Sequence, residues 1–178
     1  MPVNPVKRPA ARPPSLRLFY ALWPDPQVRA RLAALLQGVQ GRLVPPENLH
    51  LTMAFLGQQP LERVPLLLEL LAGVPPLALN LCFDRYGYFR RHGVLWVGMQ
   101  HEPPGLFAAQ QALTAALRAG DVHFDAGSPF RPHITLARDA KPPPAASIAP
   151  ITWQASRIVL VSSEVREKRV YYRVLDGG

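Results

Sequence analysis

Two short motifs hold the residues best suited to chemistry: His50-Leu51-Thr52-Met53 and His133-Ile134-Thr135-Leu136. Each reads His-x-Thr followed by an apolar residue, and the two histidines stand 83 positions apart. The chain has five histidines and four threonines, so a second match to the same pattern is not what shuffled residues would offer. In an extended strand, residues i and i+2 share a face and lie about 6.6 Å apart. Each copy therefore sets an imidazole beside a hydroxyl, while Leu51 and Met53, or Ile134 and Leu136, turn the other way into a core. If the copies face each other across a groove, two imidazoles and two hydroxyls surround one centre. Such a centre suits in-line displacement at phosphorus, with one imidazole activating water and the other protonating the leaving oxygen. An ordinary histidine pKa near 6.5 makes both protonation states available at neutral pH. The threonine hydroxyls can donate to the non-bridging oxygens as charge builds there.

Neither motif contains a carboxylate cluster, so no magnesium or zinc site is expected. Taken singly, each copy reads first as a strand histidine beside a threonine favoured for its β propensity. The repetition in matching contexts is what favours catalysis. His92, His101 and His123 share no ligand spacing and read as surface or loop residues.

The elements that must position these motifs follow from periodicity and punctuation. Arg17–Trp23 reads as a strand stopped by Pro24. Asp25 then caps a helix with Pro26 at its first position, and Val28, Leu32, Leu35, Leu36 and Val39 give it an apolar face up to Gly41. Pro45 and Pro46 mark a turn. Asn48–Phe55 alternates as a strand closed by Gly57, and Leu61–Leu71 is a short helix. Leu77–Phe83 and Gly93–Met99 read as two strands of a hairpin around Tyr86–Arg91. Pro104–Arg118 is an amphipathic helix stopped by Gly120. Phe130–Ala137, Arg157–Ser162 and Val170–Leu175 supply the last strands, after a Pro/Ala-rich loop over Ala140–Pro150. The pattern is α+β, with strand, long helix and strand occurring twice, as in a weak internal duplication.

Length and composition set the outer bounds. The chain has 178 residues, 48% hydrophobic and 18% charged, which suits one globular domain over 15–178. Residues 1–14 are rich in Pro and Arg, carry no apolar core of a secretory signal, and read as a flexible tail. No apolar run reaches the ~18 residues of a membrane span. The single Cys82 excludes an internal disulfide and paired-cysteine zinc sites, and reads as a buried, inert thiol. A cytoplasmic location fits that cysteine usage. The net charge of +8, nearly all of it from arginine, points to an anionic partner such as nucleic acid, although a base-composition bias would enrich arginine as well.

With both motifs in a basic chain of this length, the sequence resembles the 2H phosphoesterase superfamily, and within it the RNA 2′,3′-cyclic phosphodiesterases, also called 2′-5′ RNA ligases or LigT-like proteins. The likeness runs through RLFYALWPDPQVRARL, PPENLHLTMAFLG, FDRYGYFRRHGVLWVGM, RPHITLAR and the closing LVSSEV and YYRVL. It implies a bilobal α+β fold, two pseudo-symmetric lobes each with an antiparallel sheet flanked by helices, and an active-site groove between them. It implies metal- and cofactor-independent hydrolysis of a terminal 2′,3′-cyclic phosphate to a 2′-phosphate. By the same resemblance His50 is the proton donor to O3′, His133 the proton acceptor for water, and Thr52 and Thr135 hold the phosphate oxygens. Phe55 and Arg138, each five residues past its histidine, resemble a pair that brackets the nucleobase. Five is an odd offset, so strict alternation would turn both away, and the strands must bend, with Gly57 and Asp139 nearby to permit it. Met53 stands where leucine is commoner, a nearly volume-conserving exchange. The expected partner is RNA with a 2′,3′-cyclic phosphate end, such as tRNA fragments, or a cyclic nucleotide, met by a monomer. Two other readings stay open: a ligase or phosphodiesterase acting on tRNA halves or 2′-5′ linkages, and a non-catalytic RNA-binding module.

Overall fold

The computed structural model describes residues 13–143, 147–167 and 169–175. The expected tail lies, but for its last two residues, outside the described residues, as do three residues of the Pro/Ala-rich loop. Strand β1 spans Ser15–Leu22 and puts Leu18, Tyr20 and Leu22 on one face and Phe19 and Ala21 on the other. Asp25 accepts hydrogen bonds from the backbone N–H groups of Gln27 and Val28, and so opens helix α1 over Pro26–Ala34. The helix ends earlier than its apolar spacing suggests. After Ala34 the backbone tightens into i→i−3 bonds, and Gly38 turns the chain at φ +75°. A two-residue strand β2, Arg42–Leu43, follows and was not visible in the sequence pattern.

Strand β3 spans Leu51–Pro60, starting after a 3₁₀ turn at Pro46–Asn48. It therefore begins later than expected, and it runs through Gly57 instead of stopping there. Helix α2 covers Val64–Ala72. Strands β4 (Leu79–Phe83), β5 (Arg85–Phe89) and β6 (Val94–Gly98) come next. The expected hairpin is corrected here: β6 pairs with β5, and β4 pairs with β8, Ile151–Ala155, in a separate two-stranded sheet. The turn at Arg90–His92 with Gly93 in the left-handed region closes the β5–β6 hairpin, which leaves β4 free for a distant partner. Helix α3 runs Pro104–Ala119 and β7 runs Ile134–Arg138. Strands β9 (Ile158–Arg166) and β10 (Arg169–Val174) end the described chain.

The main sheet is antiparallel in the order β10-β9-β1-β3-β7-β6-β5, with β2 also beside β7. The β1–α1–β3 and β6–α3–β7 units repeat one another. Each unit lends a strand to the other: β5 pairs with β6, and β9 pairs with β1. Between the two motif strands, β3 and β7, there is one pair, Leu51 opposite Ile134, and β2 adds Arg42 opposite Arg138 and Leu43 opposite Ala137. One face of the sheet and the helices enclose the large core, including Leu18, Tyr20, Leu51, Met53, Ile134 and Leu136, all at most 2% exposed. The Tyr20 hydroxyl donates to the Leu67 carbonyl of α2 at 2.7 Å, tying helix to sheet. On the opposite face Phe19, Ala21, Val159 and Val161 form a smaller apolar cluster. Cys82 is half-buried, where full burial was expected. His92, His101 and His123 are exposed.

Gly41 has a double constraint that Gly38 lacks. Its φ is +133°, and a Cβ there would lie 2.7 Å from the Ala140 Cα and 2.8 Å from the Arg138 carbonyl. Around Gly38 nothing lies within 4 Å. Gly38→Ala should cost about 1 kcal/mol through backbone strain alone, and Gly41→Ala clearly more, about 2–4 kcal/mol. Urea denaturation of the two variants checks the order; equal losses would contradict the close approach of Gly41 to β7.

Candidate active site

The pairing of Leu51 with Ile134 decides where the two motifs lie. Carrying the antiparallel register one step in each direction sets His50 across from Thr135 and Thr52 across from His133. All four line one groove of about 460 Å³ on the sheet face away from the helices. The structure thus brings together the two imidazoles and two hydroxyls that the sequence pattern set side by side only within each copy.

Phe55 and Arg138 line the same groove, and the parity problem has a specific solution. Opposite β1 the partner of Tyr20 is Ala54 and that of Ala21 is Thr52, so Met53 is an extra residue. Opposite β6 the partner of Leu95 is Ala137 and that of Trp96 is Thr135, so Leu136 is an extra residue. Met53 and Leu136 are equivalent positions of the two motifs. Each is a β-bulge that shifts the alternation by one, burying two successive residues and returning the fifth to the groove. The bend therefore lies inside the motifs and not at Gly57 or Asp139.

Both imidazoles are held alike. His50 Nδ1 lies 2.6 Å from the Asn48 carbonyl oxygen, and His133 Nδ1 lies 2.6 Å from that of Arg131. A carbonyl only accepts, so Nδ1 carries the proton in each ring and Nε2 keeps its lone pair when the ring is neutral. His50 Nε2 is 3.1 Å from Thr52 Oγ1, which donates to it in that state. Aromatic rings wall both histidines. Trp23 stacks on His50 at 5.5 Å and 12°, with Phe19 at 4.8 Å and Tyr172 edge-on at 5.2 Å. Phe89 and Trp96 stand 5.2 and 5.8 Å from His133.

These surroundings disfavour the charged imidazole. Burial lowers the His50 pKa to about 4 against the help of its Asn48 hydrogen bond, with smaller contributions from the charges of His133 and Arg138. Burial, and then the Arg138 charge, also lower His133 below its ordinary value, against the Arg131 hydrogen bond. Arg138 is exposed at the rim yet acts electrostatically on both rings, so its guanidinium is set to meet an anion lodged between them. Arg17 adds a second cation, its guanidinium 5.0 Å from the Phe55 ring centroid.

Several groove residues were not among those singled out from the sequence. Asn48 is 5% exposed; its carbonyl orients His50 while its side-chain amide donates to the Val170 carbonyl at 3.0 Å. Its place two residues before His50, matching Arg131 before His133, was the available signal. Arg17, Arg42 and Tyr172 reach the groove from β1, β2 and β10, and no local motif marks them.

A family model described as the 2′-5′ RNA ligase superfamily matches residues 22–167. The chain is 36% identical over 138 residues to a protein of Escherichia coli (strain K12) named RNA 2′,3′-cyclic phosphodiesterase, covering 72% of this chain and 77% of that one. It is 34% identical to a Thermus thermophilus protein of the same name, over 90% of this chain and 88% of that one. Among solved structures, E. coli LigT complexed with 3′-AMP superposes with a TM-score of 0.78 at 31% identity, covering 92% of this chain and 97% of that one. The motif-bearing strands, the α+β fold and the likeness along most of the sequence agree, and the chain belongs to the 2′-5′ RNA ligase superfamily.

Proposed function

We propose that the chain is an RNA 2′,3′-cyclic phosphodiesterase, hydrolysing an RNA-terminal 2′,3′-cyclic phosphate to a 2′-phosphomonoester by two-histidine acid–base catalysis. The observation that carries the reading is the pair of imidazoles in one groove, each with Nδ1–H bonded to a carbonyl and Nε2 left for proton transfer. The relatives named for this activity and the LigT likeness support the substrate class. A water molecule gives a proton to His133 Nε2 and its oxygen bonds to phosphorus as the P–O3′ bond breaks. O3′ takes a proton from His50 Nε2, leaving a 3′-hydroxyl and a 2′-phosphate. Thr52 and Thr135 donate to the non-bridging oxygens, and Arg138 balances their charge. Phe55 offers its half-exposed ring to the terminal base, with Arg138 on the opposite side. No step calls for a metal ion. The enzyme acts as a cytoplasmic monomer on RNA ends; no helix among the described residues is long and apolar enough to cross a membrane.

Incubation with an oligonucleotide ending in a 2′,3′-cyclic phosphate, in the presence of EDTA, should yield the 2′-phosphate. Replacing either histidine by alanine should lower kcat by about 10²–10⁴-fold, the range for loss of a general acid or base. A 3′-phosphate product, or a His50→Ala variant as active as the parent, would refute the assignment. Adding RNA with a free 5′-hydroxyl tests the ligase reading in the same assay, since joining would then replace hydrolysis.

The lowered pKa values set the sign of the pH dependence. With His50 at about 4 and His133 below its usual 6.5, both rings of the free enzyme are neutral at pH 7. Donation requires one proton on the pair, so kcat/KM should fall as pH rises from 6.5 to 8, approaching tenfold per unit. The anionic phosphate favours the protonated donor once bound, so the descending limb of kcat should lie at higher pH than that of kcat/KM. A kcat/KM that rises through this range would rule out donation by a histidine of depressed pKa.

A further inference from the structure

The catalytic groove opens into a second basin of about 600 Å³, enclosed between the Arg42–Asn48 segment and the edge strand β10. The two cavities share Arg42, Val44, Asn48, Arg138, Val170 and Tyr172 in their walls, so they are continuous. Arg169 and Tyr171 line only the basin. Five large apolar side chains are exposed among the described residues, and three of them, Leu43, Val170 and Tyr171, line this basin. Tyr171 is 48% exposed, with its ring available to a flat apolar partner.

Charge accompanies that apolar surface. Arg42, Arg138 and Arg169 line the basin, and Glu47 is its one acidic lining residue. Arg42 meets Asp139 at 3.2 Å, with both side chains largely exposed, a contact that water weakens and a phosphate can displace. Cationic forks next to an exposed aromatic ring match the two parts of a nucleotide, an anionic linkage and a stackable base. A mononucleotide has one base and no linking phosphate to offer this basin. An RNA end continues from the same ribose through its 5′ phosphate and must leave the groove at an open side.

Building on the cyclic-phosphodiesterase reading, we propose that the basin is a subsite for the nucleotide preceding the cyclic-phosphate end. Arg169 and Arg42 take the linking phosphate and Tyr171 stacks with the penultimate base. The preferred substrate is then an oligoribonucleotide end and not a free nucleoside cyclic phosphate.

The test compares kcat/KM for a trinucleotide and for a mononucleoside, both ending in a 2′,3′-cyclic phosphate. The parent protein should prefer the trinucleotide by roughly tenfold or more, the scale of one base stack with one phosphate contact. Arg169→Ala and Tyr171→Ala should each reduce that preference severalfold and leave turnover of the mononucleoside unchanged. Arg118→Ala, which removes an exposed cation on α3 outside both cavities, should leave the preference intact and so controls for general charge. Equal kcat/KM for the two substrates in the parent, or the same loss for both in Arg169→Ala, would overturn the subsite while leaving the activity standing. Binding of the corresponding 3′-phosphate-ended ligands, measured by calorimetry, makes the comparison without turnover. Tighter trinucleotide binding lost in Arg169→Ala supports the subsite, and equal binding overturns it. Failure of every cyclic phosphate to react, with that binding difference present, would count against the hydrolytic reading alone.

Discussion

One antiparallel pair, Leu51 with Ile134, governs the geometry of the whole site. Both residues are completely buried, so neither can rotate outward without opening the core beneath the groove. A slip by one residue would turn the leucine and isoleucine to the groove and the histidines to the core, at the cost of burying imidazoles against apolar side chains. The hydrophobic effect thereby holds the register of two strands that share almost no ladder hydrogen bonds. From that register follows the alternation of imidazole and hydroxyl across the groove.

Much of this was legible in the sequence. The repeated His-x-Thr pattern marks the pairs, and the burial of Leu51, Met53, Ile134 and Leu136 follows the alternation read from the chain. The Asp25 cap, the α3 helix and its end at Gly120 lie where their residues place them. What escaped was of longer range. The partner of β4 is 72 positions away along the chain, while a nearer strand invited a hairpin. β8 was missed although Ile151, Trp153 and Ala155 alternate as buried residues, because the pattern follows directly on a Pro/Ala-rich loop. The bulges at Met53 and Leu136 leave no composition signature, since a bulge is a property of two strands and only one is visible at a time. Without them the fifth position after each histidine has the wrong parity, and Phe55 and Arg138 look misplaced.

The groove is prepared for charge without holding it. Aromatic rings beside both imidazoles reduce their contact with water, and the nearby guanidinium discourages a second positive charge. Carbonyl acceptors at Asn48 and Arg131 work in the opposite direction and fix which nitrogen bears the proton. The outcome is a pair of weak bases of defined tautomer whose protonation responds to an arriving anion. Because the same device serves both rings, the division into donor and acceptor depends on what differs around them. His50 has Thr52 on its free nitrogen and three aromatic neighbours, whereas His133 has two.

The exchange of β5 and β9 between the halves makes each half depend on the other. A half-length chain of this pattern, strand, helix, strand and two more strands, could not complete this sheet, because a late strand of each half lies beside the first strand of the other. It would find that neighbour only in a second copy of itself, and the two copies would enclose a groove containing two identical histidines related by a twofold axis. In such a homodimer neither histidine could specialise, since any substitution would appear on both sides. In a single chain the two halves vary independently, and His50 and His133 have different neighbours.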